Sequence, residues 1–297
     1  MSMEFMQIDF PALLIASLSA IICSLCGAFL LLRKQSLMSD ALSHVVLPGI
    51  VVGYLVAGTL ATLPMIIGAL GSCLLAIILM GFIRTVKIIE PGAIMGIVFT
   101  SLFALGVLLL EQKVGGRVHL DAQHALYGAL ELTYWSGILT DQAWQTIPQD
   151  IPLLAVLLLI VAIIMILFYK ELMAMTFDPV FAACTGIKPF WSGIILMGLS
   201  AIACVAAFQA VGSILVIALF ICPAAAARLL TSRLSSYLWL SVLFALIMAN
   251  AGYALAATAP VWLGLSAALS AAGMIAVLGG LLVLAAAMTG KLVKSQD

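Results

Sequence analysis

Long uninterrupted apolar runs, separated by short clusters of charged and turn-forming residues, organise this chain. Nine stretches approach the roughly 20 residues needed to cross about 30 Å of hydrocarbon as a helix. They cover 11–32, 37–58, 62–83, 91–110, 151–169, 190–208, 210–228, 236–258 and 263–288. The runs are continuously apolar and do not alternate, so they predict helices and not barrel strands. Between the sixth and seventh, Gln209 is the only clear polar break, and merging that pair would give eight. Two intervals do not span. Residues 111–150 are polar and aromatic, with an apolar patch at 125–132, and residues 170–188 are too polar to cross yet too apolar for a solvated loop. A short docked helix is the expectation for the latter. The pattern therefore predicts an all-α polytopic membrane protein with eight or nine transmembrane helices, and no internal repeat.

Composition agrees. Of 297 residues, 65% are hydrophobic and 8% charged; a soluble domain carries about 25% charged residues. Twelve basic and twelve acidic side chains cancel, which removes nucleic acid as a partner, since phosphate binding needs a clustered basic face. Position adds more than number. Arg33, Lys34, Arg84, Lys87, Lys170, Lys188, Arg228, Arg233, Lys291 and Lys294 all follow odd-numbered runs; only Lys113 and Arg117 do not. Cations favour the cytoplasmic side, so nine spans put the N-terminus outside and the C-terminus in the cytoplasm. Glu4 and Asp9 before the first run, and no A-x-A site after it, argue against a cleaved signal. Five of six cysteines fall within apolar runs and Cys184 in the 170–188 interval, so no disulfide framework is expected. Cys23 and Cys26 read as packing residues despite their C-x-x-C spacing.

In a chain this poor in charge, Asp40 and His44 stand out at the head of the second run, in SLMSDALSHVVLPG. Their i, i+4 spacing places both on one helix face. A carboxylate beside an imidazole can bind a first-row divalent cation, the oxygen suiting manganese and the nitrogen iron or zinc. The same residues also fit a plainer role, with Asp40 capping the helix and His44 hydrogen-bonding between helices. Two ligands do not complete a site; a second copy, water or backbone oxygens would have to finish it. Pro48 and Gly49 follow directly and permit a bend. His119, Asp121 and His124, grouped in the 111–150 loop, could receive an arriving cation or be solvated loop residues. The G-x-x-x-G spacings Gly49/Gly53 and Gly92/Gly96 suggest close helix packing, including packing against a second copy. Gln209 and Asn250 fit bridges between helices. No G-x-x-x-x-G-K-[ST], H-E-x-x-H or G-x-S-x-G is present, so the chain carries no recognisable ATPase, metalloprotease or serine-hydrolase motif.

The stretch LLRKQSLMSDALSHVVLPGIVVGYLV resembles the second-span signature of permease subunits of ABC importers for manganese, iron and zinc. GIVFTSLFALGVLLL at 96–110, LDAQHALYGAL at 120–130 and FQAVGSILVIALFICPAAAARLLTSR at 208–233 fit the same family in the same order. KELMAMTFDPVFAACTGI also matches, where that family contacts its ATPase, making Glu171, Phe177, Asp178 and Pro179 the expected ATPase-coupling residues. The resemblance implies an ABC importer permease fold, one transmembrane permease domain over 1–297, in the bacterial plasma (inner) membrane. It also implies cytoplasmic ATPase subunits, an extracytoplasmic metal-binding protein, and a second permease copy or sister permease. No permanent cofactor is implied; the divalent ion is the transported substrate, held by Asp40 and His44. DALSHVVLPG is closer to the manganese/iron branch than to the zinc branch. The turn APVWLGLSAAL and the Pro-Gly after Glu90 depart from the family pattern, away from the site. Alternative functions are a proton-coupled secondary metal carrier using Asp40 and His44 as a relay, or an ABC permease for chelates such as siderophores or vitamin B12.

Overall fold

The computed structural model describes residues 5–58, 62–85, 88–114, 130, 133–135, 138, 146–187, 189–263 and 269–294. Among these there is no strand. Nine helices are long and apolar enough to span: α1 (Phe10–Leu32), α2 (Leu37–Ala57), α3 (Thr62–Arg84), α4 (Pro91–Leu109), α5 (Asp150–Leu167), α8 (Pro189–Val211), α9 (Ser213–Leu230), α10 (Leu234–Leu263) and α11 (Ala271–Lys294). A π-helical turn, Phe5–Asp9, leads into α1. The 170–188 interval forms two short helices, α6 (Tyr169–Phe177) and α7 (Pro179–Cys184). The sequence expectation of an all-helical, many-span protein is met.

Inter-helix contacts fix the running directions, taking α1 as the axis. At α8, Gly193 lies against the Arg33 guanidinium and Ser200, further along, lies beside Cys26, so α8 is antiparallel to α1. At α9, Phe220 packs on Gly27 while Ala224 and Ala227 cluster with Ala28, so α9 is parallel to α1. The reversal falls at Gly212, whose φ of 81° suits glycine, and not at Gln209, which lies inside α8. This corrects the expected break and removes the eight-span alternative: a polar residue marks a boundary in hydropathy, but the backbone turns where a left-handed φ is free. Similarly α10 runs antiparallel to α1, with Tyr237 donating to the Ala28 carbonyl, Asn250 to Ser17 Oγ, and Tyr253 to Asp9 Oδ1. Asn250 is thus the helix bridge its position suggested. The last helix starts at Ala271, later than the expected 263, because α10 continues through Pro260 to Leu263.

The starts of α2, α8 and α10 and the ends of α1, α3 and α9 therefore share one end of the bundle with Arg33, Arg84 and Arg228. We call it the basic end. At the other, Gln7 accepts from the Trp135 backbone and the Tyr134 hydroxyl, which ties part of the 111–150 interval to the start of α1.

Glycine explains how α2 to α4 pack. A Cβ on Gly49 or Gly53 would overlap the α3 backbone at Gly68 and Pro64, and one on Gly68 would overlap α2 in turn. The Gly49/Gly53 spacing thus serves packing within the chain, not against a second copy. Gly92 and Gly96 meet nothing within 4 Å among the described residues.

Candidate metal site

Local sequence sets the site at the basic end of α2. Pro48 lies within α2, and lacking an N–H it cannot close the usual bond to the His44 carbonyl. Gly106 of α4 accommodates the Pro48 ring, since a Cβ there would sit 2.6 Å from Pro48 Cβ. This close fit brings α4 against the next α2 turn, where His44 stacks on Phe99 (centroids 5.6 Å, 20°) and meets Phe103 edge-on (5.5 Å, 73°).

Asp40 Oδ1 and His44 Nε2 are 3.4 Å apart. That is long for a hydrogen bond between them. It matches two donors of one ion: at metal–ligand distances of about 2.1 Å, neighbouring ligand atoms lie about 3.0–3.4 Å apart. The side chains are 34% and 35% exposed, so both remain reachable. With a 1.5 Å rise, His44 lies about 10 Å along α2 from Leu37, roughly a third of the membrane core from the basic end.

Asp40 is not the N-cap residue of α2, although a carboxylate in the first turn is favoured by the helix dipole. Ser36 occupies the N-cap position, and Asp40 lies in the first helical turn beside His44. Ser39 and Ser43 hydroxyls satisfy backbone carbonyls of their own helix, Ser43 also meeting Cys204 Sγ at 3.3 Å. Among the described residues no cluster of three or more His, Cys, Asp or Glu gathers around an ion position. The pair therefore offers one carboxylate and one imidazole. His119, Asp121 and His124 lie outside the described residues.

The expected coupling residues sit at the basic end. Asp178 Oδ1 accepts from the Val180 and Phe181 amides (3.1 and 2.9 Å), capping α7, and Pro179 follows at its first position. Leu172 and Met175 anchor α6 inward, whereas Phe177, Val180 and Phe181 are exposed. Glu171 holds a buried carboxylate oxygen without a hydrogen bond.

Phe99 and Phe103 were not singled out from sequence. Their i, i+4 spacing in GIVFTSLFALGV was visible, but nothing in it tied α4 to His44.

A model of the ABC 3 transport family matches residues 2–291. Manganese transport system membrane protein MntD of Bacillus subtilis (strain 168) is 38% identical over 260 residues, covering 87% of this chain and 86% of the relative. Zinc transport system membrane protein TroD of Treponema pallidum (strain Nichols) is 38% identical over 210 residues, 71% of this chain and 56% of the relative. Among solved structures, PsaBC from Streptococcus pneumoniae in complex with Fab aligns with a TM-score of 0.76 and 27% identity, over 96% of this chain and 94% of that chain.

Proposed function

Because this chain belongs to the ABC 3 transport family, we infer that it is the permease subunit of an ATP-driven importer of divalent transition-metal ions, with Asp40 and His44 holding the ion in transit. The observation that carries the site assignment is the 3.4 Å spacing of two accessible donor atoms, with His44 held by two rings. A carboxylate and an imidazole suit manganese or iron, and the DALSHVVLPG form supports these over zinc. Relatives named for manganese and for zinc are equally identical, so overall similarity does not choose between them.

The chain acts as a transport subunit without catalysis of its own, and separate cytoplasmic ATPase subunits supply the energy. An extracytoplasmic binding protein delivers the ion, and a second permease copy or sister permease supplies further ligands. The exposed Phe177, Val180 and Phe181 beside the capped start of α7 form the face on which the ATPase docks, with Glu171 and Pro179 in the same segment. With the basic end cytoplasmic, the N-terminus lies outside the plasma membrane and the C-terminus inside.

Uptake of radiolabelled manganese by the complete transporter tests this reading. Asp40→Ala or His44→Ala should lower uptake at least about tenfold, corresponding to ~1.4 kcal/mol of lost binding, with normal assembly. Wild-type uptake by both variants would sink the site. Uptake persisting without any ATPase subunit would support the proton-coupled carrier instead.

A further inference from the structure

A second feature at the basic end is not absorbed by ion transport. Arg33, Lys34, Gln35, Leu37, Arg84 and Ile89 border a cavity of about 570 Å³ that reaches the start of α4. Three cations converge on it, and no acid is among the described residues that line it. Arg33 Nη1 and Arg84 Nε are buried without a hydrogen-bond partner, as is Gln35 Oε1. Among the described residues, Asp40–His44 is the sole ion pair at this end, so no carboxylate balances these guanidinium groups. Glu90, the nearest acid in sequence, is exposed and outside the lining. Burial and the neighbouring Arg84 hold the Arg33 pKa below its ordinary value, a strain that an anion would relieve. Buried donors of this kind ordinarily have partners.

Backbone geometry supports the same conclusion. Lys34 ends α1 with φ at 57°, the one non-glycine in the left-handed region among the described residues. Its amide donates to the Leu31 carbonyl and that of Gln35 to Leu30, the paired pattern of a helix C-terminus that normally takes glycine at this position. Lysine here accepts a strained backbone and adds a charge at the cavity wall.

We propose that this cavity binds the phosphate-bearing headgroup of an anionic phospholipid of the cytoplasmic leaflet. Arg33 and Arg84 hold the phosphate, and Leu37, Ile89 and Met95 line the path of an acyl chain. The mixed lining decides for lipid over a free anion or an acidic protein segment. Leu37 is 58% exposed and Ile89 38% exposed beside the cations, where the spanning helices α1 and α3 end and α2 and α4 begin. Basic pockets between membrane helices on the cytoplasmic side recognise such headgroups.

The test uses the full-length permease purified with its partners, stripped of lipid, and titrated with phosphatidylglycerol or phosphatidylcholine while bound lipid is counted by native mass spectrometry. Wild type should prefer phosphatidylglycerol by about tenfold or more. Arg33→Gln with Arg84→Gln should bring the preference to within about twofold. Lys34→Gly should melt no lower than wild type, since it relieves the positive φ, yet bind phosphatidylglycerol severalfold more weakly. If the double variant fails to fold, Arg84→Gln alone and Lys34→Gly carry the comparison. A preference unchanged in the variants would overturn the proposal. So would full competition by inorganic phosphate at equal concentration, or loss of the co-purifying ATPase subunit with lipid preference intact, which would make an acid of that subunit the occupant.

Discussion

Rotation of an imidazole is limited by what packs on its faces, and His44 has one ring stacked on it and another meeting it edge-on. Phe99 and Phe103 therefore hold Nε2 toward Asp40 without competing for its lone pair. Phe99→Ala should leave Asp40 and His44 in place but free the ring to turn. We expect a manganese KM for uptake raised severalfold with maximal rate less affected, measured on the complete transporter at fixed expression. The pair itself was legible in sequence because helical periodicity alone aligns positions 40 and 44. The aromatic clamp was not, since it depends on α4 lying parallel to α2, a tertiary fact set by Pro48 fitting against Gly106.

At the scale of elements, glycine decides which helices touch. Adding a side chain at Gly68 drives atoms into the α2 backbone at Gly49 and Gly53. Overpacking of a tight interface costs about 1–3 kcal/mol, so Gly68→Val should lower folded yield and the melting temperature of the purified protein. Gly96→Ala meets nothing within 4 Å among the described residues and replaces a poor helix former, so its melting temperature should hold or rise. The sequence displayed both G-x-x-x-G spacings alike; it could not say that one partner was α3. A second element-level expectation concerns α7. Its start depends on the Asp178 carboxylate, and losing such a cap costs about 1 kcal/mol. Asp178→Ala should loosen α7 and reduce metal-stimulated ATP hydrolysis by the assembled transporter, while metal binding to the permease stays unchanged. Undiminished stimulation would separate α7 from coupling.

For the whole molecule, the described cations Arg33, Arg84 and Arg228 gather at one physical end and Asp9 lies at the other, because the helices traced against α1 alternate in direction. Five of the six cysteines are buried or half-buried, and Cys184, closing α7 at the basic end, is exposed. A membrane-impermeant maleimide should therefore label Cys184 in inside-out vesicles and not in right-side-out ones; the opposite result would invert the orientation. Hydropathy located every span but misplaced two corners, the α10–α11 turn and the α8–α9 turn, the latter because it records how greasy a segment is and not which φ its backbone takes. The α8–α9 corner has a practical corollary. Val211, Gly212 and Ser213 are all buried, and a single residue joins two full-length helices of opposite direction. There is no slack in such a hinge, so an epitope tag or protease site inserted there has no room to loop out. Fusion and tagging schemes for this protein should spare the α8–α9 junction, however neatly its polar neighbour Gln209 suggests a place to cut.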